Sequence, residues 1–267
     1  MDNFSFEKSV NSIRKSIIST IYHAKKGHLG GALSSVDFIF YIFASQVVQP
    51  HPGGKKSFVK NPFVLSKAHS STALLTVLQE LFPDKAHSLK NYNRNGDLVG
   101  NNPSEMVFGV EFHAGSLGHG IGYGAGLALA SKLRGDDRYV VVMVSDGELN
   151  EGSCWESLLF IARHKLNVCV VVDRNNQICE NYIDDAVGLG DLSSKAQSFD
   201  LLVREIDGHS LSEFENVEDF IKNGGAPRMV ILNTIKGKGV SFMESVVRFH
   251  HSIPTEKEYL EAMCELS

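Results

Sequence analysis

The sequence has few cysteines, no long hydrophobic run and no excess of positive charge. Its four cysteines (Cys154, Cys169, Cys179 and Cys264) are scattered, with no Cys-x-x-Cys pair. This spacing argues against a zinc site or a disulfide framework, and free thiols are typical of the reducing cytoplasm. The longest apolar stretches, such as residues 139–144, fall far short of the roughly 20 residues that a membrane span needs.

The charge, the N-terminal segment and the length of the chain bear on its binding partners, its compartment and its number of domains. A net charge of −5 and a pI near 6.1 disfavour nucleic-acid binding, which usually needs a basic surface stripe. The N-terminal segment has no apolar signal core, so we expect a cytoplasmic protein. The chain has 267 residues, of which 43% are hydrophobic, and we expect a single domain over residues 1–267.

Hydrophobic periodicity predicts the order of the secondary-structure elements. A helix over residues 5–24 should end at Gly27, followed by a small-residue turn in GHLGGALSS and a buried helix over 37–48. Residues 83–113 have no clean period and predict a long functional loop. Other helices are expected at 70–82, 117–133, 152–165 and 255–266, and strands at 63–65, 139–144, 168–172 and 229–233. This alternation favours an α/β fold with a parallel sheet flanked by helices.

Polar motifs follow two neighbouring strands of the expected sheet. VSDGELNEG begins at Val144, and VVDRNNQI ends at Ile178. Because the carboxyl ends of parallel strands form the ligand-binding edge, Asp146 and Asn176 should lie side by side, although 30 residues separate them. A carboxylate, an amide oxygen and the Ile178 carbonyl suit Mg²⁺, with diphosphate oxygens and water completing an octahedron. Gly147 would let a diphosphate approach the backbone, beside the amides that open the helix at Gly152.

The pairing of Asp-Gly with Asn-Asn about 28 residues later resembles the motif of enzymes that use thiamine diphosphate. Four other segments resemble loops of the transketolase family, and they occur in the family's order. These segments are KGHLGGALS at 26–34, LSKAHSS at 65–71, AGSLGHGIGYGAGLALA at 114–130, and TIKGKGVSFME at 234–244, followed by His250. The chain is therefore identified as a member of the transketolase family over nearly its whole length.

The resemblance implies thiamine diphosphate and Mg²⁺ (or Ca²⁺ or Mn²⁺) as cofactors, and it assigns residues to them. The metal ligands would be Asp146, Asn176 and the Ile178 carbonyl, and the catalytic histidines would be His28, His69 and His250. Because His251 follows directly, the last match could shift by one residue. The implied cofactor-binding set is His69, Gly115, Leu117, Asp146, Gly147, Glu148, Asn176, Lys236 and His250.

The resemblance also implies a missing half of the enzyme. In the family, the glutamate that activates the aminopyrimidine ring lies on a pyrimidine-binding domain, which nothing in this sequence resembles. We expect the pyrimidine-binding and C-terminal domains on a partner chain, in an α2β2 complex. Glu151 would lie at the interface and order the partner's catalytic glutamate. A truncated form of a longer protein is the alternative explanation.

Several positions depart from the family pattern. Ser145 replaces the usual first glycine of the metal motif, and His119 stands where glutamine is frequent. Where transketolases typically read Gly-His-Pro, this chain has Asn101 and Asn102 between Gly100 and Pro103, so a donor-binding histidine is missing. Since the changes concentrate on the substrate side, we expect a specialised ketol transfer, for example in surface polysaccharide synthesis with a non-standard or nucleotide-linked acceptor.

Other functions stay open at this point. A synthase that starts from a 2-oxo acid, or an E1-type dehydrogenase subunit, would use Asp146 and Asn176 in the same way. A regulatory subunit that binds the cofactor is the non-enzymatic alternative. A dinucleotide-binding loop is disfavoured, because GHGIGYG at 118–124 does not follow an expected strand.

Overall fold

The computed structural model describes residues 2–54, 59–136, 138–179, 181–223 and 225–267. Its strands are β1 (Phe63–Leu65), β2 (Val140–Ser145), β3 (Val168–Arg174), β4 (Leu202–Asp207) and β5 (Arg228–Asn233). Its helices are α1 (Asn3–Ala24), α2 (Leu29–Ala44), α3 (Ser71–Leu81), α4 (Gly120–Arg134), α5 (Gly152–Arg163), α6 (Ile183–Ala186), α7 (Leu192–Ser198), α8 (Leu211–Lys222) and α9 (Glu256–Glu265). Short 3₁₀ turns cover Ala68–Ser70, Leu89–Asn91, Gly147–Asn150 and Val247–His250.

The strands form a parallel sheet in the order β1-β2-β3-β5-β4. Successive side chains of a strand point to opposite faces of the sheet. Helices cover both faces of the central strands, so the side chains on each face are buried. Val141 and Met143 pack with α1, α2, α3 and α8, whereas Val140 and Val142 pack with α4, α5 and α7. This two-sided burial explains the continuous apolar run of β2 and confirms the expected α/β fold.

The first correction concerns the segment expected to form a small-residue turn. Residues 29–36 form the first two turns of α2, which begins at Leu29 and ends at Ala44 rather than spanning 37–48. A glycine lowers the stability of a helix by about 1 kcal/mol relative to an alanine. The two adjacent glycines of GHLGGALSS therefore argued against a helix at this point of the sequence. Here the glycines serve close packing, because a Cβ on Gly30 would lie 2.9 Å from Lys236 Cγ, and one on Gly31 would lie 3.1 Å from His69 Cδ2.

Four elements, β4, α6, α7 and α8, were not predicted from the sequence. β4 is an edge strand whose residues are mostly exposed, so LVREID carries no continuous apolar run. α8 buries Leu211, Phe214, Val217 and Ile221 at helical spacing, a signal that the sequence did contain. The remaining expected elements are present, with their ends shifted by a few residues. α4 shows the largest shift, since it begins at Gly120 rather than at 117.

Residues 83–113 form the expected long loop, with the 3₁₀ turn Leu89–Asn91 as its one regular segment in the structure. The loop is anchored by its own small apolar cluster, in which Val99, Val107 and Val110 pack with Tyr92. A helix long and apolar enough to cross a membrane is not found in the described part of the chain.

Candidate active site

The polar motifs meet at the carboxyl edge of the sheet, where the chain leaves β1, β2, β3 and β5. Asp146 follows β2 directly and is fully buried. Its Oδ2 accepts a hydrogen bond from the Asn176 backbone N–H at 2.6 Å, and its Oδ1 accepts from the Gly147 N–H at 2.8 Å. The two motifs therefore lie side by side, as their positions after neighbouring strands led us to expect.

The backbone after β3 is shaped to present oxygens at this edge. Asn176 adopts a left-handed conformation with φ of 59°, and its side chain is exposed. The Ile178 carbonyl accepts a hydrogen bond from Lys236 Nζ at 3.3 Å, so it already faces a cation. A Cβ on Gly147 would lie 3.0 Å from Ile178 Cγ2, and glycine keeps these two loops close together.

The residues present fit a divalent cation. Burial, followed by repulsion from Asp173, raises the pKa of Asp146 to about 6, and the carboxylate has no ion-pair partner within the described ranges. A nearby cation would offset both effects, because it favours the charged form of the carboxyl. With the amide oxygen of Asn176 and the Ile178 carbonyl, Asp146 offers the all-oxygen donor set that Mg²⁺ prefers.

Three predicted histidines come together next to this edge. The ring centroids of His28, His69 and His250 lie 5.4 to 5.7 Å apart. His28 precedes α2, His69 lies in the turn after β1, and His250 ends the turn before α9. The Nδ1 atoms of His28 and His250 are buried and have no hydrogen-bond partner among the described residues, so each ring keeps an unsatisfied polar atom inside the cluster.

The histidine cluster is electrically neutral near pH 7. Burial and the neighbouring His251 lower the pKa of His28 to about 4. Burial is also the main cause that holds the pKa values of His69 and His250 well below the usual value, and Lys236 adds repulsion. Neutral imidazoles can each donate and accept one hydrogen bond, so the cluster suits recognition of hydroxyl and phosphoryl oxygens.

His251 also belongs to the cluster. Its ring centroid lies 4.6 Å from that of His28 and 4.4 Å from that of His250, but its side chain is exposed. His250 is the one that is buried against His69. The assignment of His250 to the cofactor side stays a prediction, and His251 is an additional candidate for the substrate side.

Lys236 lies between the metal-type ligands and the histidines. Burial lowers the pKa of Lys236 to about 8, although Asp146 and Asp173 act in the opposite direction. Its ammonium donates to the backbone carbonyls of Gln177 and Ile178. A buried cation at this point is suited to an anionic ligand such as a diphosphate.

A buried ion pair beneath the site was not predicted from the sequence. Lys67 Nζ pairs with Asp173 Oδ2, and both side chains are fully buried. Asp173 also accepts hydrogen bonds from Ser34 on α2, from Thr234 after β5 and from Asn175. Burial alone would raise the pKa of Asp173, but Lys67 and the hydroxyl donors lower it overall. Both members of the pair lie inside segments already singled out, in LSKAHSS and VVDRNNQI.

The two asparagines that replace the expected histidine go to different places. The Asn101 side chain reaches His28 and accepts a hydrogen bond from the Tyr92 hydroxyl at 2.9 Å. The Asn102 side chain lies over Gly115, where an added Cβ would be 3.5 Å from Asn102 Nδ2. A buried tyrosine thus fixes one neutral amide beside the histidines, and the other amide covers the exposed loop of Gly115.

The remaining predicted residues are distributed around this centre. Gly115 and Leu117 lie on a surface loop before α4, and Glu151 is exposed at the start of α5. Glu148 is fully buried, and its carboxylate is engaged by Ser66, Gly118 and Ser145. The buried position of Glu148 therefore disfavours direct contact between its side chain and a cofactor. His119 is exposed at the N-cap of α4.

Known proteins are similar to this chain over the whole of the site. The family model described as "Transketolase, thiamine diphosphate binding domain" matches residues 5–263. One of the subunits of the apulose-4-phosphate transketolase of Phocaeicola vulgatus is 30% identical over 259 residues, covering 95% of this chain and 91% of that protein. The 6-deoxy-6-sulfo-D-fructose transketolase subunit SqwG of Clostridium sp. strain MSTE9 is 31% identical over 266 residues. The match covers 97% of this chain and 95% of that protein.

Complete transketolases are similar over only part of their length. Human transketolase is 28% identical over 253 residues, which is 92% of this chain but 39% of that protein. The crystal structure of Campylobacter jejuni transketolase superposes with a TM-score of 0.91 at 24% identity, covering all of this chain and 43% of that one. The chain thus spans about two fifths of the complete transketolases that it matches.

We expect the substitution Lys67→Met to destabilise the protein by roughly 3–5 kcal/mol, because it leaves Asp173 as a buried charge without its partner. The measurement is urea unfolding at neutral pH. Lys8→Met is the matched control, since Lys8 is exposed on α1, and it should change the free energy of unfolding by less than about 0.5 kcal/mol. Equal effects of the two substitutions would contradict the importance of the buried pair.

Proposed function

The chain belongs to the transketolase family, and from that premise we propose that it is the diphosphate-binding subunit of a two-chain enzyme dependent on thiamine diphosphate and Mg²⁺. The enzyme would transfer a two-carbon ketol unit from a ketose donor to an aldose or other aldehyde acceptor. One observation carries this proposal: the oxygen donors of Asp146, Asn176 and Ile178 lie at the same sheet edge as the cluster of neutral histidines.

The metal-type ligands and Lys236 would hold the charged end of the cofactor. Asp146, Asn176 and the Ile178 carbonyl would bind Mg²⁺, and Gly147 would leave room for the diphosphate. Lys236 and the nearby histidines would contact diphosphate oxygens. When bound, thiamine diphosphate supplies the electron-accepting ring needed to break a carbon–carbon bond beside a carbonyl.

The histidines would act on the substrate. His28 is half-buried, and Asn101 and the exposed His251 flank it. Neutral imidazoles at this position can hold the donor's hydroxyl groups and move a proton to or from the oxygen at the reacting carbon. His69 and His250 are more deeply placed and would contact the cofactor side.

The surface around the Gly115 loop supports a partner chain. The loop is exposed, and the two helices that begin beside it carry exposed apolar side chains farther along: Leu159 (58% exposed) and Phe160 (40% exposed) on α5, and Leu133 (80% exposed) near the end of α4. Large exposed apolar side chains on adjacent helices are typical of protein–protein interfaces. We propose that a partner with the pyrimidine-binding domain covers this surface, with two copies of each chain in the complex and Glu151 at the interface. The relatives from Phocaeicola vulgatus and Actinobacillus succinogenes are each named as one subunit of a transketolase, which supports this arrangement.

The substrate side supports a specialised sugar. The relatives are named for apulose 4-phosphate and 6-deoxy-6-sulfo-D-fructose, both of which are modified ketoses. Here Asn101 and Asn102 supply neutral amides where a histidine was expected, so this position can donate and accept hydrogen bonds to the donor but cannot carry charge. We propose a modified ketose or a non-standard acceptor, for example a nucleotide-linked one in surface polysaccharide synthesis.

Asp146→Ala should weaken Mg²⁺-dependent binding of thiamine diphosphate by about 100-fold or more, because it removes the one charged metal ligand. Calorimetry on the complex with the proposed partner chain provides the measurement. Asp185→Ala is the control, since Asp185 is exposed on α6. Retention of wild-type affinity by Asp146→Ala would refute the metal assignment.

The isolated chain, saturated with cofactor and Mg²⁺, should show no turnover, because the activating glutamate is expected on the partner. Adding the partner should produce ketol transfer. The measurement is the appearance of the new ketose over time. Appreciable turnover by the isolated chain would overturn the proposal of a two-chain enzyme.

A substrate panel on the complex should show better activity with modified ketoses or nucleotide-linked aldehydes than with xylulose 5-phosphate and ribose 5-phosphate. Release of CO₂ from pyruvate is measured in parallel, because a 2-oxo acid synthase or E1-type enzyme would release it. Highest activity on the pentose phosphates would indicate ordinary transketolase metabolism, and CO₂ release would replace the ketol-transfer proposal.

A further inference from the structure

Glu148 is a buried carboxylate at the junction of three loops. It lies in the 3₁₀ turn after β2, two positions beyond Asp146, and its side chain is fully buried. Within the described ranges no ion pair neutralises it. A buried carboxylate without an ion pair is costly unless donors surround it, so its contacts show what holds it in place.

The carboxylate of Glu148 joins the loop after β1 to the loop before α4. Its Oε1 accepts hydrogen bonds from the Ser66 hydroxyl at 2.5 Å and from the Gly118 N–H at 2.8 Å. The same Ser66 hydroxyl accepts from the Gly120 N–H at 3.1 Å. Because the serine proton is committed to Glu148, the serine oxygen is free to accept from the first turn of α4.

The Gly118 peptide is held from both sides. Glu148 accepts from its N–H, and the Ser153 hydroxyl on α5 donates to its carbonyl at 3.1 Å. Gly118 has φ of 84°, and a Cβ there would lie 2.4 Å from Ser153 Oγ, so no other residue fits this clamp. Gly118 directly follows Leu117, which is assigned to the aminopyrimidine of the cofactor under the proposed function.

We propose that Glu148 is a positioning residue that couples the metal-binding loop to the aminopyrimidine-binding loop through Gly118 and Ser66. This inference rests on the proposed function. Asp146 and Glu148 lie in the same short segment, so the segment that binds the metal also fixes the loop at the opposite end of the cofactor. Glu148 thereby sets the distance between the diphosphate and the ring that must be activated.

The test separates the two ends of the cofactor. Glu148→Gln preserves the size of the side chain but replaces one acceptor oxygen with an amide donor. In the complex with its partner, it should leave the affinity for Mg²⁺ with inorganic diphosphate within about twofold of wild type, since the Glu148 carboxylate contacts none of the proposed metal ligands. It should slow hydrogen–deuterium exchange at C2 of bound thiamine diphosphate by about tenfold or more, as expected for weakening a charge-assisted hydrogen bond.

Two other variants keep the test informative. Ser153→Ala removes the second half of the Gly118 clamp without touching a buried charge, and it should slow C2 exchange in the same direction with diphosphate affinity unchanged. If Glu148→Gln does not fold, Ser153→Ala alone tests the proposal. Glu261→Gln is the matched control, because Glu261 is exposed on α9, away from the proposed partner surface, and should behave as wild type in both measurements.

The outcomes are distinguishable. Wild-type C2 exchange in both Glu148→Gln and Ser153→Ala would overturn the positioning proposal while leaving the cofactor assignment intact. An equal loss of diphosphate affinity and of C2 exchange would also overturn it, since Glu148 would then act on the metal side. Failure of the wild-type complex to bind thiamine diphosphate would instead refute the proposed function.

Discussion

The buried ion pair between Lys67 and Asp173 is the interaction on which the rest of the site depends. Asp173 is the next-to-last residue of the central strand β3, and its oxygens accept hydrogen bonds from the loop after β1, from α2 and from the residue after β5. Removing two charges from water is costly, and good geometry with additional hydrogen bonds offsets that cost. The pair therefore locks four separate chain segments together at one sheet edge, beneath the residues that would contact ligands.

Close packing above this pair produces the electrostatics of the site. Gly30 and Gly31 allow α2 to approach Lys236 and His69, which removes water from the imidazoles and the ammonium. Burial then lowers the pKa of His28 and of Lys236, whereas it raises the pKa of Asp146. The same packing thus yields neutral imidazoles for hydroxyl groups and a carboxylate that is favoured in its ionised form by a bound cation.

The cofactor side and the substrate side are built differently. The loops that directly follow β2 and β3 supply the metal-type ligands, so their positions follow from the sheet. The proposed substrate side draws on the long loop over residues 83–113, where Tyr92 fixes Asn101 beside His28. A loop of this kind can change its polar groups without disturbing the sheet, which is consistent with a shared cofactor site and divergent sugar substrates in the family.

The sequence by itself determined the parallel α/β fold, the order of most elements and the neighbourhood of Asp146 and Asn176. Apolar periodicity and motifs at strand ends are local signals that need no tertiary information. The sequence did not show that GHLGGALSS opens a helix, that LVREID is an edge strand, or that Glu148 turns inward to Gly118. Only the tertiary structure decided these points, because each depends on what packs against the segment: loops close to Gly30 and Gly31, a single neighbouring strand for β4, and backbone donors around Glu148.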